Sequence, residues 1–264
     1  MRVATWNINS LRLRQKLLGA LVKALEPDVL CLQETKVPDE AFPESLPQAL
    51  GFRHFARRGM KSYNGVAIFS RMPIRAIQPT EWCGRQDCRH LAVEIDLAGG
   101  PLELHDFYVP AGGDDPDPET NTKFAHKLAF LAEARAYFAA RGHFRRTVLL
   151  GDLNVAPLEA DVWSHRQLLH VVSHTPVETT ALRAWLDVGF TDAVRHFVPE
   201  SEKLFTWWSY RNRDWRLSNR GRRLDHVWVS DDLAGTLVRQ MVFKDARGWD
   251  LTSDHVPVVV ELRA

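Results

Sequence analysis

The chain has 264 residues, of which 45% are hydrophobic and 25% are charged, with 34 basic side chains against 33 acidic ones. This length is enough for one domain with a sizeable core, and the balanced charge gives no general argument for a polyanionic partner. The sequence has neither a signal-peptide pattern at its start nor an apolar run near the roughly 20 residues that cross a bilayer. We therefore expect a single domain over 1–264 that is cytoplasmic and has no membrane partner.

Short apolar runs alternate with helical patterns along the chain, which predicts an α/β or α+β fold with buried strands. Apolar residues from Leu13 to Leu25 recur at helical spacing until Pro27, and a long helix that begins near Phe124 can end at Gly142. A hairpin is expected at 99–100. Strands are predicted at 3–8, 28–33, 65–70, 90–97, 102–109, 147–150, 225–229, 237–243 and 256–262.

Polar side chains stand at the ends of several predicted strands. They are Asn7, Asn9, Glu34, Asp152, Asn154, Asp225, Asp254 and His255. Taken singly, each could be an ordinary strand-end carboxylate, a turn residue or a cap. A buried carboxylate needs a cation, hydrogen bonds or a metal, and several strands that end alike indicate one shared site.

Hard oxygen ligands of this kind suit Mg²⁺ or Mn²⁺, and Mg²⁺ is usually held by one or two carboxylates together with phosphate and water. Hydrolysis of a phosphodiester needs a base for water, cations or donors for the developing charge, and help for the leaving oxygen. The set contains a candidate for each role, so the sequence favours phosphoryl chemistry.

Six separated motifs, in order, resemble the exonuclease III family of AP endonucleases, which lies within the wider DNase I-like metallophosphoesterase fold. The motifs are WNINSLR at 6–12, LQETK at 32–36, YVP at 108–110, GDLNVAP at 151–157, RLD at 223–225 and SDHVPV at 253–258. The resemblance spans nearly the whole chain. It implies a four-layer α/β sandwich in which two packed mixed β-sheets are flanked by helices.

The resemblance also assigns roles by position. Glu34 matches the principal metal ligand with Asn7 beside it, and the residues that complete the predicted metal set are Asp254, Asp152 and Asn154. Asp152 and Asn154 also match the pair that activates or orients water. His255 matches the residue that contacts the scissile phosphate, with Asp225 as its carboxylate partner, and Tyr108 matches a donor to the phosphate or leaving group. The cofactor is expected to be Mg²⁺, with Mn²⁺ as a substitute.

The chain departs from the family after Pro110, where many relatives carry an amide that contacts phosphate and this sequence has Ala111-Gly112-Gly113. Backbone N–H groups of the two glycines could replace that amide. The acidic, proline-rich segment 112–119 that includes them is expected to be an exposed loop.

The wider fold also includes phosphatases of inositol lipids and sphingomyelinases, so the metal site does not choose the substrate. Between 211 and 223 the sequence RNRDWRLSNRGRR holds six arginines and one aspartate, and four aromatic residues lie among or beside them. Arginines for phosphates and aromatics for bases or sugars are typical of a nucleic-acid surface. The alternative is a solvated basic loop beside core tryptophans. A second basic patch of Arg53, Arg57, Arg58 and Lys61 could either grip the DNA backbone or be ordinary surface.

We therefore predict Mg²⁺-dependent hydrolysis of the DNA backbone 5′ to abasic sites, with 3′–5′ exonuclease and 3′-end trimming activity. The expected partner is double-stranded DNA with abasic sites or blocked 3′ ends, bound by a monomer. The predicted substrate-binding residues are Asn9, Lys36, Trp207, Arg222 and Leu224, of which the last three match a pocket for an extruded abasic nucleotide. Two alternatives are a lipid or small-molecule phosphoesterase of the same fold and a catalytically silent DNA-binding protein. The second is disfavoured because binding alone does not require the catalytic set.

Overall fold

The computed structural model describes residues 1–77, 80–212 and 214–263. Gln78, Pro79, Arg213 and Ala264 lie outside the described residues, and with Arg213 one member of the predicted arginine cluster does too. None of the helices within the described ranges is long and apolar enough to span a bilayer.

Two mixed six-stranded sheets form the centre of the fold. Sheet one has the spatial order β13 (Leu237–Val242), β14 (Val258–Leu262), β1 (Arg2–Asn7), β2 (Val29–Gln33), β4 (Val66–Ser70), β3 (His54–Arg58). Sheet two has the order β5 (Ile74–Ala76), β6 (His90–Ile95), β7 (Leu102–Tyr108), β8 (Thr147–Asp152), β12 (Asp225–Ser230), β9 (Phe190–Asp192). Each sheet contains one parallel pair, β1 with β2 and β7 with β8, among antiparallel neighbours.

The six described α-helices and a short ribbon complete the architecture. The helices are α1 (Leu11–Leu25), α2 (Ser45–Ala49), α3 (Thr122–Ala140), α4 (His165–Leu168), α5 (Pro176–Leu186) and α6 (Trp215–Ser218). The ribbon pairs β10 (Trp207–Trp208) with β11 (Gly221–Arg222).

The central strands are buried on both faces because helices cover the outside of both sheets. Successive side chains of a strand point to opposite faces, so Val3 of β1 joins the core between the sheets while Ala4 and Trp6 pack with Leu18 and Leu21 of α1. In the same way α3 and α5 cover the outer face of sheet two. The expected four-layer sandwich is confirmed.

Most predicted elements are found with small shifts of their ends. Gly142 follows α3 with φ 61°, and Gly100, with φ 100°, lies in the turn between β6 and β7, as the sequence predicted. Five short strands escaped prediction: β3, β5, β9, β10 and β11. Strand β3 lies at the edge of sheet one and all five of its residues are half-buried, so its sequence HFARR carries no apolar run.

Candidate active site

The register of the strands brings the polar strand ends to one edge of the sandwich. In sheet two, Tyr108 pairs with Asp152 across β7 and β8, and Asp152 pairs with Asp225 across β8 and β12. In sheet one, Asn7 ends β1 beside the end of β2, which Glu34 follows directly. The catalytic candidates therefore come from both sheets and meet at the seam between them.

Asn7 joins the carboxylates of the two sheets. Its side-chain Nδ2 donates to Glu34 Oε1 at 3.0 Å and to Asp152 Oδ2 at 2.8 Å. The second oxygen of Glu34 is paired with Lys36 Nζ at 2.8 Å. Burial acts to raise the pKa of Glu34, but the ammonium of Lys36 outweighs it and the pKa lies below the usual value. Glu34 is therefore an ionised, half-buried carboxylate.

His255 forms a buried pair with Asp225. His255 Nδ1 donates to Asp225 Oδ2 at 2.9 Å, and the same oxygen accepts a hydrogen bond from Thr206 Oγ1 at 2.6 Å. The other ring nitrogen, Nε2, lies 3.7 Å from Asp152 Oδ2. The Asp225 carboxylate thus fixes the ring through Nδ1, and the other ring nitrogen, Nε2, points to Asp152.

The pKa values of both Asp152 and His255 are raised, that of Asp152 to near neutral pH and that of His255 above it. Burial acts to lower the pKa of His255, but the charges of Asp225 and Asp152 outweigh it and raise the pKa to about 10. Burial raises the pKa of Asp152 to about 7, against the opposing effect of the His255 charge. His255 is therefore cationic at neutral pH, and Asp152 can exchange a proton there.

Asn154 and Tyr108 flank Asp152. Asn154 has a left-handed backbone with φ 54°, and its Nδ2 donates to Asp152 Oδ2 at 3.1 Å and to the Val109 carbonyl at 2.9 Å. Tyr108 is 9% exposed, and the Arg89 guanidinium lies 4.8 Å from its ring centroid. Burial and the charges of Glu34 and Asp152 raise the pKa of Tyr108 well above its usual value, so its hydroxyl is a permanent donor.

Asp254 connects the metal side of the site to Trp207. Asn9 Nδ2 donates to one oxygen of Asp254 at 3.0 Å, and the Trp207 indole Nε1 donates to the other at 2.9 Å. Lys36 Nζ donates to Asn9 Oδ1 at 2.6 Å. A continuous hydrogen-bonded path therefore runs from Glu34 through Lys36, Asn9 and Asp254 to Trp207.

The residues of the seam suit a hard divalent cation. The carboxylates of Glu34, Asp152, Asp225 and Asp254 lie in one network, in which Lys36 pairs with Glu34 and His255 pairs with Asp225 and lies near Asp152. One possible ligand atom each from Asp152, Asp225 and His255 lies within 4.8 Å of the others, but His255 Nδ1 already donates to Asp225. Glu34, Asp254 and the neighbouring amides are therefore the better oxygen donors for a metal.

Comparison with known proteins agrees with this geometry. Residues 4–255 match the endonuclease/exonuclease/phosphatase family. The chain belongs to this family. It is 30% identical to exodeoxyribonuclease III of Haemophilus influenzae, with 100% of both chains covered. The resemblance to the exonuclease III group that the sequence motifs indicated is confirmed.

Two solved structures resemble this member of the family along its whole length. An AP endonuclease from Archaeoglobus fulgidus superposes with a TM-score of 0.90 at 30% identity, with 100% of both chains covered. A 3′ phosphatase from Neisseria, bound to a product DNA hairpin, superposes with a TM-score of 0.88 at 30% identity and the same coverage.

In this family member, Trp207 and Arg222 face each other across the ribbon and line an open groove of about 560 Å³ beside the catalytic seam. The Arg222 guanidinium lies 5.5 Å from the Trp207 ring centroid, and its Nη1 donates to the Val172 carbonyl and to Ser173 Oγ, each at 2.8 Å. Leu224 lies behind this wall, 5% exposed. The structure thus places two of the three predicted pocket residues on the groove surface and the third beneath it.

The arginine cluster of 211–223 divides into exposed and buried members. Arg211, Arg216 and Arg220 are exposed, and Arg220 stacks on Trp163. Arg223 is different. It is fully buried and paired with Asp161 and Asp192, so including it in a nucleic-acid surface was wrong. Its charge stabilises the interior, where two carboxylates neutralise it.

Two of the four residues in the second basic patch form ion pairs. Arg57 pairs with Glu44 at 2.7 Å and Arg58 pairs with Glu81. Lys61 is exposed and lines a groove of about 660 Å³ that also includes Asn9 and Lys36. Of this patch, Lys61 is the residue that the fold brings beside the catalytic seam.

Three residues with a role in the site were missed from the sequence: Arg89, which covers the Tyr108 ring, Thr206, which binds Asp225, and Lys127, which lies under Asn154. Lys127 left a signal, because it falls on the apolar face of α3, three residues after Phe124 and four before Leu131. A lysine on such a face needs a buried partner. Arg89 and Thr206 left no such signal, because each reaches its partner through the fold alone.

Proposed function

We propose that this protein is a Mg²⁺-dependent DNA repair hydrolase that cuts the backbone 5′ to abasic sites and also trims 3′ ends as an exonuclease and 3′-phosphatase. The observation that carries the proposal is the placement of the cationic His255 opposite Asp152, in a site that Asn7 connects to Glu34. This arrangement holds a base, a cation for phosphate and a metal ligand side by side. Kinship with exodeoxyribonuclease III supports DNA as the substrate.

Glu34 and Asn7 are the proposed first ligands of Mg²⁺, or of Mn²⁺ in its place, with Asp254, Asp152 and Asn154 completing the set. Once bound, the ion would neutralise negative charge on the phosphate and on the leaving oxygen. In this structure the Lys36 ammonium balances the charge of Glu34. A bound metal ion would take over that role, and Lys36 would then be free to move toward the substrate phosphate.

Asp152 is the proposed general base. Its pKa of about 7 is close to the working pH, where a base is most effective. Asn154 donates to the same carboxylate and fixes the oxygen that takes the proton. In the proposed step, Asp152 accepts a proton from water as the water oxygen bonds to phosphorus. The bond between phosphorus and the 3′ oxygen breaks, and the 3′ oxygen keeps the electron pair and takes a proton from solvent to become the 3′ hydroxyl.

His255 and Tyr108 are the proposed donors to the phosphate. The imidazolium of His255, held by Asp225, meets the negative charge that grows on the phosphate oxygens. Tyr108 keeps its proton because of its raised pKa and donates to the phosphate or to the departing 3′ oxygen. Incision, exonuclease action and 3′-phosphate removal all break this bond and leave a 3′ hydroxyl, so one centre serves all three reactions.

The substrate is proposed to lie across the two grooves that flank the seam. Asn9 and Lys36 would contact the phosphate backbone on one side. Trp207 and Arg222, supported by Leu224, would form the wall of a pocket for an extruded abasic sugar on the other. An abasic nucleotide costs less to unstack than an intact one, which favours damaged sites.

The test is strand cleavage of three duplexes that carry an abasic-site analogue, a 3′ phosphate or no damage, each with Mg²⁺ and with chelator. We expect metal-dependent incision 5′ to the abasic analogue and release of phosphate from the second duplex. Absence of cleavage of every duplex would reject the DNA assignment, and hydrolysis of lipid or small phosphoesters would then identify the alternative substrate class.

We further infer a cytoplasmic monomer with a single catalytic domain over 1–264. The single domain is supported by the candidate site, which residues from both sheets complete together. Light scattering should give a mass near 30.2 kDa, and a mass twice as large would reject the monomer.

A further inference from the structure

A buried ion pair lies beneath the catalytic seam. Lys127 of α3 and Glu178 of α5 have no solvent-exposed side-chain surface, and Lys127 Nζ lies 2.5 Å from Glu178 Oε1. Neither residue can touch DNA or water. Two charges removed from water persist only when their remaining hydrogen-bonding capacity is also satisfied, so the other partners of the pair define its role.

All three N–H donors of the Lys127 ammonium have acceptors. One is Glu178, and the others are the Asn154 carbonyl at 2.7 Å and the Ala111 carbonyl at 3.3 Å. Asn154 has the left-handed backbone that presents its side chain to Asp152. Lys127 therefore anchors both the segment that carries Asn154 and the Ala111–Gly113 turn.

The Glu178 carboxylate anchors a third segment. It accepts hydrogen bonds from the backbone N–H of Ser173 at 2.9 Å, from that of Thr175 at 3.2 Å and from Thr175 Oγ1 at 2.7 Å. Ser173 in turn holds Arg222, which stacks on Trp207 in the groove wall. One ion pair thus connects the three chain segments 110–113, 152–154 and 171–175.

Space around the pair is filled. Gly112, with φ +93°, packs so closely that an added Cβ would lie 2.9 Å from Lys127 Cδ. Glycine at 112 therefore leaves room for the Lys127 side chain to pass beside the turn and reach the Ala111 and Asn154 carbonyls. A side chain at 112 would displace Lys127 from this position.

We propose that Lys127 and Glu178 are positioning residues of the hydrolase, a single buried anchor that sets Asn154 and the Ala111–Gly113 turn around Asp152. The proposal rests on the proposed DNA-cleaving function for its kinetic consequence. A pair that merely fills the core could be replaced by uncharged residues of similar volume without loss of catalysis.

The experiment uses the full chain with Lys127→Met and Glu178→Gln combined. Lys127→Met alone would strand a buried carboxylate and is expected to unfold the protein, whereas the double change removes both charges. The amide oxygen at 178 can still accept from Ser173 and Thr175, so the groove wall stays in place. The matched control is Glu103→Gln, which breaks the ion pair with Arg141 at the opposite end of α3.

We expect kcat on the abasic duplex to fall about tenfold or more with KM changed less than about threefold, because Asn154 loses its anchor while the groove keeps its own. The rate of backbone hydrogen exchange, monitored by mass spectrometry, should rise in the segments 110–113 and 152–154 but not in the segment 171–175. The control should leave kcat within about twofold of wild type.

An unchanged kcat with unchanged exchange in the folded double variant would overturn the proposal, as would faster exchange spread evenly over the whole chain. The exchange measurement needs neither metal nor DNA. If the wild-type protein cleaved no duplex, the proposed function would fail, and exchange at 110–113 and 152–154 would still decide whether the pair is an anchor.

Discussion

Asp225→Asn tests whether the charge of His255 is needed for catalysis. In the wild type, Asp225 is the first of the charges that raise the pKa of His255 to about 10 against burial. If the pKa returns to its ordinary value of about 6.5, the protonated fraction of His255 drops to about three quarters at pH 6 and about 3% at pH 8. The wild-type imidazole remains protonated at both values.

The expected ratio of wild-type to variant kcat therefore rises from about 1.3 at pH 6 to about 30 at pH 8. The sign follows from the His255 cation: relative to the wild type, the variant loses activity as pH rises through the lowered pKa of its imidazole, and the ionisation of Asp152 affects both proteins alike. Cleavage of the abasic duplex at saturating Mg²⁺ is measured at pH 6, 7 and 8, with His255→Gln as the limit of complete loss. A ratio that does not change with pH would refute the requirement for a cationic imidazole.

Three further predictions concern the base, the metal and stability. Asp152→Asn should abolish cleavage with DNA affinity nearly unchanged in a gel-shift assay, and wild-type turnover would remove Asp152 from the mechanism. Glu34→Gln should raise the Mg²⁺ concentration needed for half-maximal cleavage at least tenfold, and an unshifted metal titration would exclude Glu34 as a ligand. Burial lowers the pKa of His226 to about 3, so below pH 6.5 the unfolded chain binds a proton that the folded chain does not. Between pH 7.5 and pH 5 this costs about 2 kcal/mol of unfolding free energy, a loss that urea titrations should find missing in His226→Gln.

The local sequence pattern was sufficient to predict the helices and strands that have a continuous or periodic apolar pattern and a clear end signal. Strand β2, VLCLQ, is buried at every position and α1 is stopped before Pro27, so both could be read from the sequence. Strand β3 could not, because an edge strand with one covered face keeps polar residues such as Arg57 and Arg58.

The polar strand ends and the family motifs predicted which side chains meet at the seam between the sheets, while their catalytic and metal-binding roles stay predictions. The sequence could not show that Asn7 donates to two carboxylates, since those contacts depend on how the sheets stack. Arg223 shows the opposite failure. It follows other arginines in a basic run, yet its partners Asp161 and Asp192 lie 62 and 31 residues away and draw it into the interior.

The seam between the sheets has a consequence for distant substitutions. Asn7 lies on one sheet and Asp152 on the other, and the Asn7 amide nitrogen donates a hydrogen bond from the first sheet to the second. The geometry of the candidate site therefore depends on the distance between the sheets. Core side chains such as Ile68 and Leu150 are the spacers that set this distance. A shortened core side chain would destabilise the fold and would also let the sheets move relative to each other, so turnover would fall even in the molecules that stay folded. Substitutions in the core of this enzyme are thus constrained by the geometry of the Asn7 hydrogen bonds as well as by packing.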